Sequence, residues 1–183
     1  TVTILIILTG CSEDWLQERP PHLISTESLY TTLDGFESGL NGMYVLARQE
    51  KEGGENVDIT DAQGGSNQLR YELTSTGTDV LCANRLDRFS ILATYWGESN
   101  SPENEQLESQ FIWLYRVLNA ANTIINNAES RTDVDWRGFG AEPSENKSRV
   151  IGEAKAMRAW VYRHLTFMWG DVPLSLQESL GST

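Results

Sequence analysis

The sequence predicts an all-α protein built from helical pairs. In three long segments apolar residues recur at steps of three and four, as one face of an α-helix requires. The stretches between these segments are rich in glycine, asparagine and aspartate, which favour turns and loops. After residue 12 no stretch of useful length alternates apolar and polar residues as a half-buried β-strand would.

Length and composition fit one folded domain and leave no room for a second full one. The chain has 183 residues, 39% of them hydrophobic, with six Trp, six Tyr and five Phe. A chain of this length buries roughly 70% of its unfolded surface on folding, and its aromatic content excludes a disordered acidic tail. The net charge of −12 argues against a nucleic-acid partner and against a polybasic membrane patch.

Residues 1–10 are predicted to be a truncated lipoprotein signal peptide. Val2 to Leu8 is an uncharged apolar run, too short to cross a bilayer as a helix. The next residues, Leu8-Thr9-Gly10-Cys11, resemble the lipobox of bacterial lipoproteins, which predicts lipidation of Cys11. The chain starts at Thr1 without a basic segment, so we expect the signal to be cut short and the sequence to be a fragment.

The alternative for this terminus is a buried strand followed by a chance cysteine. Its terminal position, its lack of charge and the acidic Ser12-Glu13-Asp14 that follows favour the signal. Residues 11–24, with Pro20-Pro21, are then a lipidated tether, and residues 25–183 form the helical domain. The second cysteine, Cys82, is left without a partner and is expected to be a small buried side chain.

The first helix starts between Ser25 and Thr32, and glycines along it predict close approach to a neighbouring backbone. Its predicted apolar stripe is Leu33, Phe36, Leu40, Met43, Tyr44 and Ala47. After a glycine-rich loop over residues 50–77, Pro102 and nearby glutamates mark the start of the second helix. Its stripe is Phe111, Leu114, Tyr115, Leu118, Ala121, Asn122, Ile125 and Ala128.

The third helix is predicted from about Ser144 to Trp169, after a connection broken by glycines and Pro143. Its predicted inward residues are Val150, Ala154, Met157, Val161, Leu165 and Met168. Gly170 suits a left-handed position after the last turn, and Pro173 prevents the helix from resuming. Long helices joined by irregular loops are compatible with a degenerate tetratricopeptide-like stack.

Motifs of enzymes and metal sites are few. The sequence has no H-E-x-x-H, no paired Cys-x-x-Cys and no P-loop, so we predict no catalytic residues, no metal and no cofactor. The two histidines are interpreted as structural, because His22 lies in the tether and His164 has apolar neighbours. Asp58 and Asp61 lack the ligand pattern of a calcium loop.

Three collinear blocks resemble the SusD/RagB family of outer-membrane proteins. Residues 150–174, VIGEAKAMRAWVYRHLTFMWGDVPL, are similar to the GEA-x-x-x-RA…GD-V-P-L block of that family. Residues 111–125, FIWLYRVLNAANTII, resemble its W-x-x-x-Y-x-x-I-x-x-A-N block, with Phe111 in place of the usual tryptophan. Cys11 and the segment Leu40-Asn41-Gly42-Met43-Tyr44 resemble the opening of the family, a lipidated cysteine followed by an L-x-G-x-Y helix.

The resemblance implies a lipid-anchored helical protein on the outer face of the outer membrane, where it binds glycans and caps a SusC-type TonB-dependent transporter. Ser12-Glu13-Asp14 looks like the acidic surface-export signal of such lipoproteins. Family members are much longer than this chain, so residues 25–183 are expected to be the N-terminal helical part of a SusD-like domain whose C-terminal part is missing. Arg158 and Asp171 belong to the matching blocks, and we interpret both as structural residues that hold the helix end and its turn.

The predicted glycan site lies in residues 78–104. It begins in Gly77-Thr78-Asp79, which resembles an acidic motif of the family. Sugar hydroxyls pair with planar polar groups, and the C–H face of a sugar ring packs on exposed aromatic rings. The predicted contacts are Asp79, Arg88, Tyr95, Trp96 and Asn100. The alternative for Tyr95 and Trp96 is packing beneath the second helix, and Trp113, Trp160 and Trp169 are expected to be core or transporter-facing.

Two other functions remain open. A lipid-anchored helical-repeat scaffold would bind a peptide or another envelope protein instead of sugar. A hydrolase with catalytic residues outside this sequence would turn over polysaccharide. Glycan binding and turnover by the complete protein distinguish the three.

Overall fold

The structure, a computed structural model, describes residues 26–52, 101 and 105–179. Within these ranges the chain forms a one-turn helix α1 (Thr26–Leu29) and three long helices, α2 (Leu33–Glu52), α3 (Glu105–Ser130) and α4 (Pro143–Trp169). The same ranges contain no β-strand, only two isolated β-bridges. The all-α prediction is confirmed.

The helices α3 and α4 are antiparallel neighbours, and α2 packs against both. One core cluster joins the end of α3 to the start of α4 and to α2, with Phe36, Ile124 and Val150 at its centre. The second cluster joins the start of α3 to the end of α4 and includes Trp113 and Leu165. Burial of these apolar faces supplies the main force that holds the three helices together.

Most residues of the predicted stripes lie inward. Buried residues from the three predictions are Leu33, Phe36, Leu40, Met43, Leu114, Leu118, Ala121, Asn122, Ile125, Ala128, Val150, Ala154, Val161 and Leu165. The prediction for Tyr44 is wrong, since 44% of this residue is exposed. Tyr44 lies at the edge of the stripe, where its hydroxyl reaches past the core and donates to Glu153 Oε2 at 3.2 Å.

The helix α4 ends at Trp169 as predicted, and its start lies close to the predicted one. The helix begins at Pro143 instead of about Ser144, because proline at the first helical position has no N–H to leave unpaired. The Glu145 carboxylate accepts a bond from the Glu142 N–H at 3.4 Å. Gly170 ends the helix with φ 75° and ψ −126°, so φ is positive as expected, but ψ lies outside the left-handed helical region.

Two of the three glycines in α2 allow close packing. A Cβ at Gly35 would lie 1.7 Å from the carbonyl oxygen of Leu29, and one at Gly39 would lie 2.6 Å from the Tyr30 hydroxyl. The prediction is therefore confirmed for Gly35, whereas Gly39 approaches a ring and not a backbone. For Gly42 it is wrong, because no neighbouring group in the described part of the chain lies within 4 Å of the Cβ position.

The connection over residues 131–142 is fixed to the start of α2. The Asp135 N–H donates to Thr31 O at 3.0 Å, and the Leu33 N–H donates to Asp135 O at 2.9 Å. Asn146, which is buried, donates to the carbonyl oxygens of Trp136 and Gly138, both at 3.0 Å. The loop is therefore held from two sides by main-chain and side-chain bonds.

Candidate functional site

All the residues predicted to contact glycan lie outside the described residues. This holds for Asp79, Arg88, Tyr95, Trp96 and Asn100, and also for the predicted lipidation site, Cys11. The tether, the signal segment, Cys82 and His22 are outside them too. The assignments at these positions stay predictions.

The structure does bring together residues from two of the three blocks that resemble the family, residues 111–125 and 150–174. We call residues 172–179, which follow α4 and run along α3, the strap. Tyr115, from the middle block, donates its hydroxyl proton to the Pro173 carbonyl oxygen of the strap at 2.8 Å. Asn122, from the same block and 1% exposed, donates to the carbonyl oxygens of Ser175 at 3.0 Å and Gln177 at 3.1 Å.

The last motif residue at this place is Arg158 on α4. It donates to Asn122 Oδ1 at 3.1 Å, so both ends of the Asn122 amide are bonded. Two sequence blocks that lie far apart in the chain therefore meet at one point. Arg158 makes a hydrogen bond as predicted, but its partner is Asn122 of α3 and not the end of α4 or its turn. Asp171 is exposed, and no hydrogen bond joins its side chain to another described residue, so its predicted bonding role is not confirmed.

Two residues of this arrangement, Asn119 and Tyr162, were not predicted from the sequence. Tyr162 donates to Ser175 O at 3.0 Å and accepts from the Ser175 N–H at 2.6 Å. The spacing of Asn119, Asn122 and Asn126, three and four residues apart on one helix face, was the available signal. Burial, followed by the electrostatic interaction with Tyr162, raises the pKa of Tyr115 above its ordinary value, so its hydroxyl stays protonated and able to donate.

A second group of polar side chains joins α2 to α4. Arg149 forms ion pairs with Glu37 and with Glu153, the latter at 2.8 Å. Burial raises the pKa of Tyr44, and the charge and hydrogen bond of Glu153 raise it further. The Arg149 guanidinium is paired with two carboxylates, and its ion pair with Glu37 connects α4 to α2. Because these side chains are partly exposed, each ion pair contributes little to stability.

The ring of Phe139 lies beside Arg149. Its centroid lies 5.9 Å from Arg149 Cζ, and 74% of the residue is exposed. Its backbone φ of 53° lies in the left-handed region, between Gly138 and Gly140, which also have positive φ. A non-glycine residue rarely adopts this conformation, so the turn holds its ring outward at some cost in backbone energy.

The tryptophans of the long helices pack against other aromatic side chains. Trp113 is 2% exposed, lies edge-on to Trp160 at 6.2 Å, and donates to Leu46 O at 2.8 Å. Trp169 packs edge-on against Phe111 at 5.4 Å. His164 Nδ1 lies 2.8 Å from the Trp160 carbonyl oxygen, which fits the structural role predicted for this histidine.

Two features are absent from the part of the chain that the structure describes. No three histidine, cysteine, aspartate or glutamate side chains there are grouped as metal ligands would be. None of the helices there combines the length and apolar character that a membrane span requires.

Three relatives match nearly the whole chain. SusD-like protein P2 of Formosa agariphila is 25% identical over 175 residues, which cover 94% of this chain and 29% of the relative. SusD-like protein P25 of the same organism is 24% identical, with 94% of this chain and 30% of the relative covered. A SusD-like protein of Bacteroides ovatus is 22% identical, and the match covers 94% of this chain and 27% of the relative.

No family model matches the chain, and no solved structure does. The chain spans less than a third of the length of each of the three relatives. Their matches nevertheless include the two helical blocks that meet at Asn122. Over nearly its whole length the chain is therefore similar to three proteins named SusD-like.

Proposed function

We propose that this chain belongs to a cell-surface lipoprotein that binds oligosaccharides or polysaccharides and delivers them to a SusC-type TonB-dependent transporter. The observation that carries the proposal is the similarity of 94% of the chain to three SusD-like proteins. The lipobox-like Leu8-Thr9-Gly10-Cys11 supports a lipid anchor. In this function the protein binds and transfers its ligand and performs no catalysis.

Binding of sugar is tested with the full-length protein. Purified protein is applied to a glycan array, and hits are quantified by calorimetry. The protein is also purified from membranes to identify a copurifying transporter. Glycan binding together with copurification is expected; copurification without any sugar binding would favour the scaffold, and release of shortened sugars would favour a hydrolase.

The predicted ligand residues are tested with Trp96→Ala in the same protein. If Trp96 stacks on a sugar ring, the loss of that contact should weaken glycan affinity about tenfold or more. Phe167→Ala is the matched control, because Phe167 is an aromatic residue with 76% exposure outside the predicted site. Equal affinities of the two variants and the parent would remove Trp96 from the site without affecting the proposed function.

The lipid anchor is tested at the two cysteines of the chain. Cys11→Ala should release the protein from the membrane fraction and abolish labelling by a radioactive fatty acid, because the thioether to the lipid cannot form. Cys82→Ala should leave both unchanged. Retention and labelling of the Cys11→Ala protein would show that lipid is attached at another residue.

A further inference from the structure

The groove between α3 and α4 is lined by side chains that bond to the main chain of the strap. Asn119 Nδ2 donates to Ser179 O at 3.1 Å, and the Ser179 N–H donates back to Asn119 Oδ1 at 2.6 Å. One side-chain amide thus serves both polar groups of one residue. The peptide group of a neighbouring β-strand would pair with Ser179 in the same way.

Ser175 is bonded to both helices in a similar manner. Its carbonyl oxygen accepts from Asn122 and from Tyr162, both at 3.0 Å, and its N–H donates to the Tyr162 hydroxyl oxygen at 2.6 Å. Asn122 Nδ2 also reaches Gln177 O at 3.1 Å. The main-chain groups of Ser175 and Ser179 are therefore paired without the help of another strand.

Val172, at the start of the strap, packs against the second core cluster, but the later strap side chains contribute much less to this contact. Leu174 is 72% exposed and Leu176 is 45% exposed. Gln177 Oε1 accepts from Asn126 Nδ2 at 3.2 Å on the exposed edge. Every residue except proline offers the same N–H and C=O groups, so a groove that bonds these groups distinguishes poorly between sequences.

We infer that the α3–α4 groove is a binding site for the main chain of an extended peptide, largely independent of its sequence, and that the strap is its resident ligand. The ligand must have free N–H groups at the positions of Ser175 and Ser179 and carbonyl groups at 173, 175, 177 and 179. Because the site lies apart from the predicted glycan contacts in sequence and uses no lipid, this inference stands independently of the proposed function.

Amide hydrogen exchange in the whole chain, resolved by NMR, tests the groove. In Asn119→Ala the Ser179 N–H loses its acceptor, and its exchange should accelerate about five- to tenfold. Asn126→Ala is the matched control: it changes the same residue type on the same helix face but removes a bond to a side chain only. Its effect on the Ser175 and Ser179 amides should stay below about twofold.

Substitutions in the strap test whether its sequence matters. Combined Leu174→Ser, Leu176→Ser and Gln177→Ala should leave exchange of the Ser175 and Ser179 amides within about threefold of the parent. Ser179→Pro removes an N–H that bonds Asn119 and should loosen the strap, seen as faster exchange of the Ser175 amide, which donates to Tyr162, whereas Ser179→Ala should not. Circular dichroism confirms that each variant keeps its helices.

Two outcomes would overturn the inference. If the triple variant frees the strap, its side chains and not its main chain hold it in the groove. If Asn119→Ala leaves the Ser179 amide as protected as in the parent, the groove is not what binds this part of the strap.

Discussion

At the scale of single residues, Asn122 explains why two separate sequence blocks occur together. A buried amide must have partners at both of its ends. Asn122 receives a bond from Arg158 on one side and donates to Ser175 and Gln177 on the other. The residues that carry the family resemblance in this part of the chain therefore fix the path of the main chain after α4. Their hydrogen bonds are explained by this structural role without a sugar ligand.

Asn146 has a comparable role in the loop over residues 131–142. Asn146→Ala would leave the carbonyl oxygens of Trp136 and Gly138 without their side-chain donor in a partly buried setting. We expect a loss of about 1–3 kcal/mol in the free energy of unfolding, measured by urea titration. Ser148→Ala on the same helix is the control and should change it by less than about 0.5 kcal/mol, since its hydroxyl bonds an exposed carbonyl. Equal stabilities of the two variants would contradict this role.

Asp135 is the residue with the clearest pH dependence. Hydrogen bonds from the Arg137 side chain, followed by its backbone N–H, lower the pKa of Asp135 from 3.8 to about 2. A lowered pKa means that the folded state favours the carboxylate, so the contribution to stability is present above about pH 4 and is lost as the pH falls towards 2. Because the group is exposed, salt should weaken the effect.

An NMR titration of the carboxyl carbons tests this assignment. Arg137→Gln should return the pKa of Asp135 most of the way to its ordinary value. Asp133 is an internal control, because its pKa is lowered by a side-chain hydrogen bond from Arg131, which this substitution does not touch. An Asp135 that titrates at its ordinary pKa in the unsubstituted protein would show that the ion pair does not persist in solution.

At the scale of elements, the glycines of α2 predict opposite effects of one substitution. Gly42→Ala should stabilise the protein by up to about 1 kcal/mol, because alanine favours helix and its Cβ enters open space. Gly35→Ala should destabilise it by at least about 1 kcal/mol, because its Cβ would collide with the Leu29 carbonyl oxygen and force α1 away. Thermal unfolding of both variants measures the difference; stabilisation by Gly35→Ala would mean that α1 does not pack here.

The periodicity of the sequence predicted the helices and most of their inward residues, but it assumed one apolar face on each. The helix α3 packs against both α2 and α4, so Val117 and Ile124, outside its predicted stripe, are fully buried as well. A single-stripe pattern cannot reveal a second neighbour. The start of α4 was predicted at about Ser144, after Pro143, because a proline alone does not distinguish a loop from a first helical turn.

The groove contacts were harder to predict from the sequence. Asn122 fell on the apolar stripe of α3, yet its partners lie in α4 and in the strap, more than thirty residues away. Bonds between distant residues depend on how the helices pair, which the sequence pattern does not fix. The glycan contacts were inferred from residue chemistry and resemblance alone, and they stay predictions because they lie outside the described residues.

At the scale of the whole molecule, the two core clusters are connected. Met157 on α4 packs against both of them, and α3 runs through both from end to end. A break between the clusters would leave apolar surface of α3 and α4 exposed on both sides. The described helices should therefore unfold as one cooperative unit and not as two.

Substitutions in the two clusters test whether the described helices unfold as one cooperative unit. Phe36→Ala in the first cluster should cost about 3–5 kcal/mol, and Leu165→Ala in the second about 2–5 kcal/mol, because both side chains are fully buried. Each substitution should lower the midpoint of a single unfolding transition. Tryptophan fluorescence and far-ultraviolet circular dichroism should report the same transition. Phe167→Ala, at a residue with 76% exposure, should leave that transition nearly unchanged. If each substitution instead split the transition, with only its own cluster melting early, the clusters would be independent units and Met157 would not couple them.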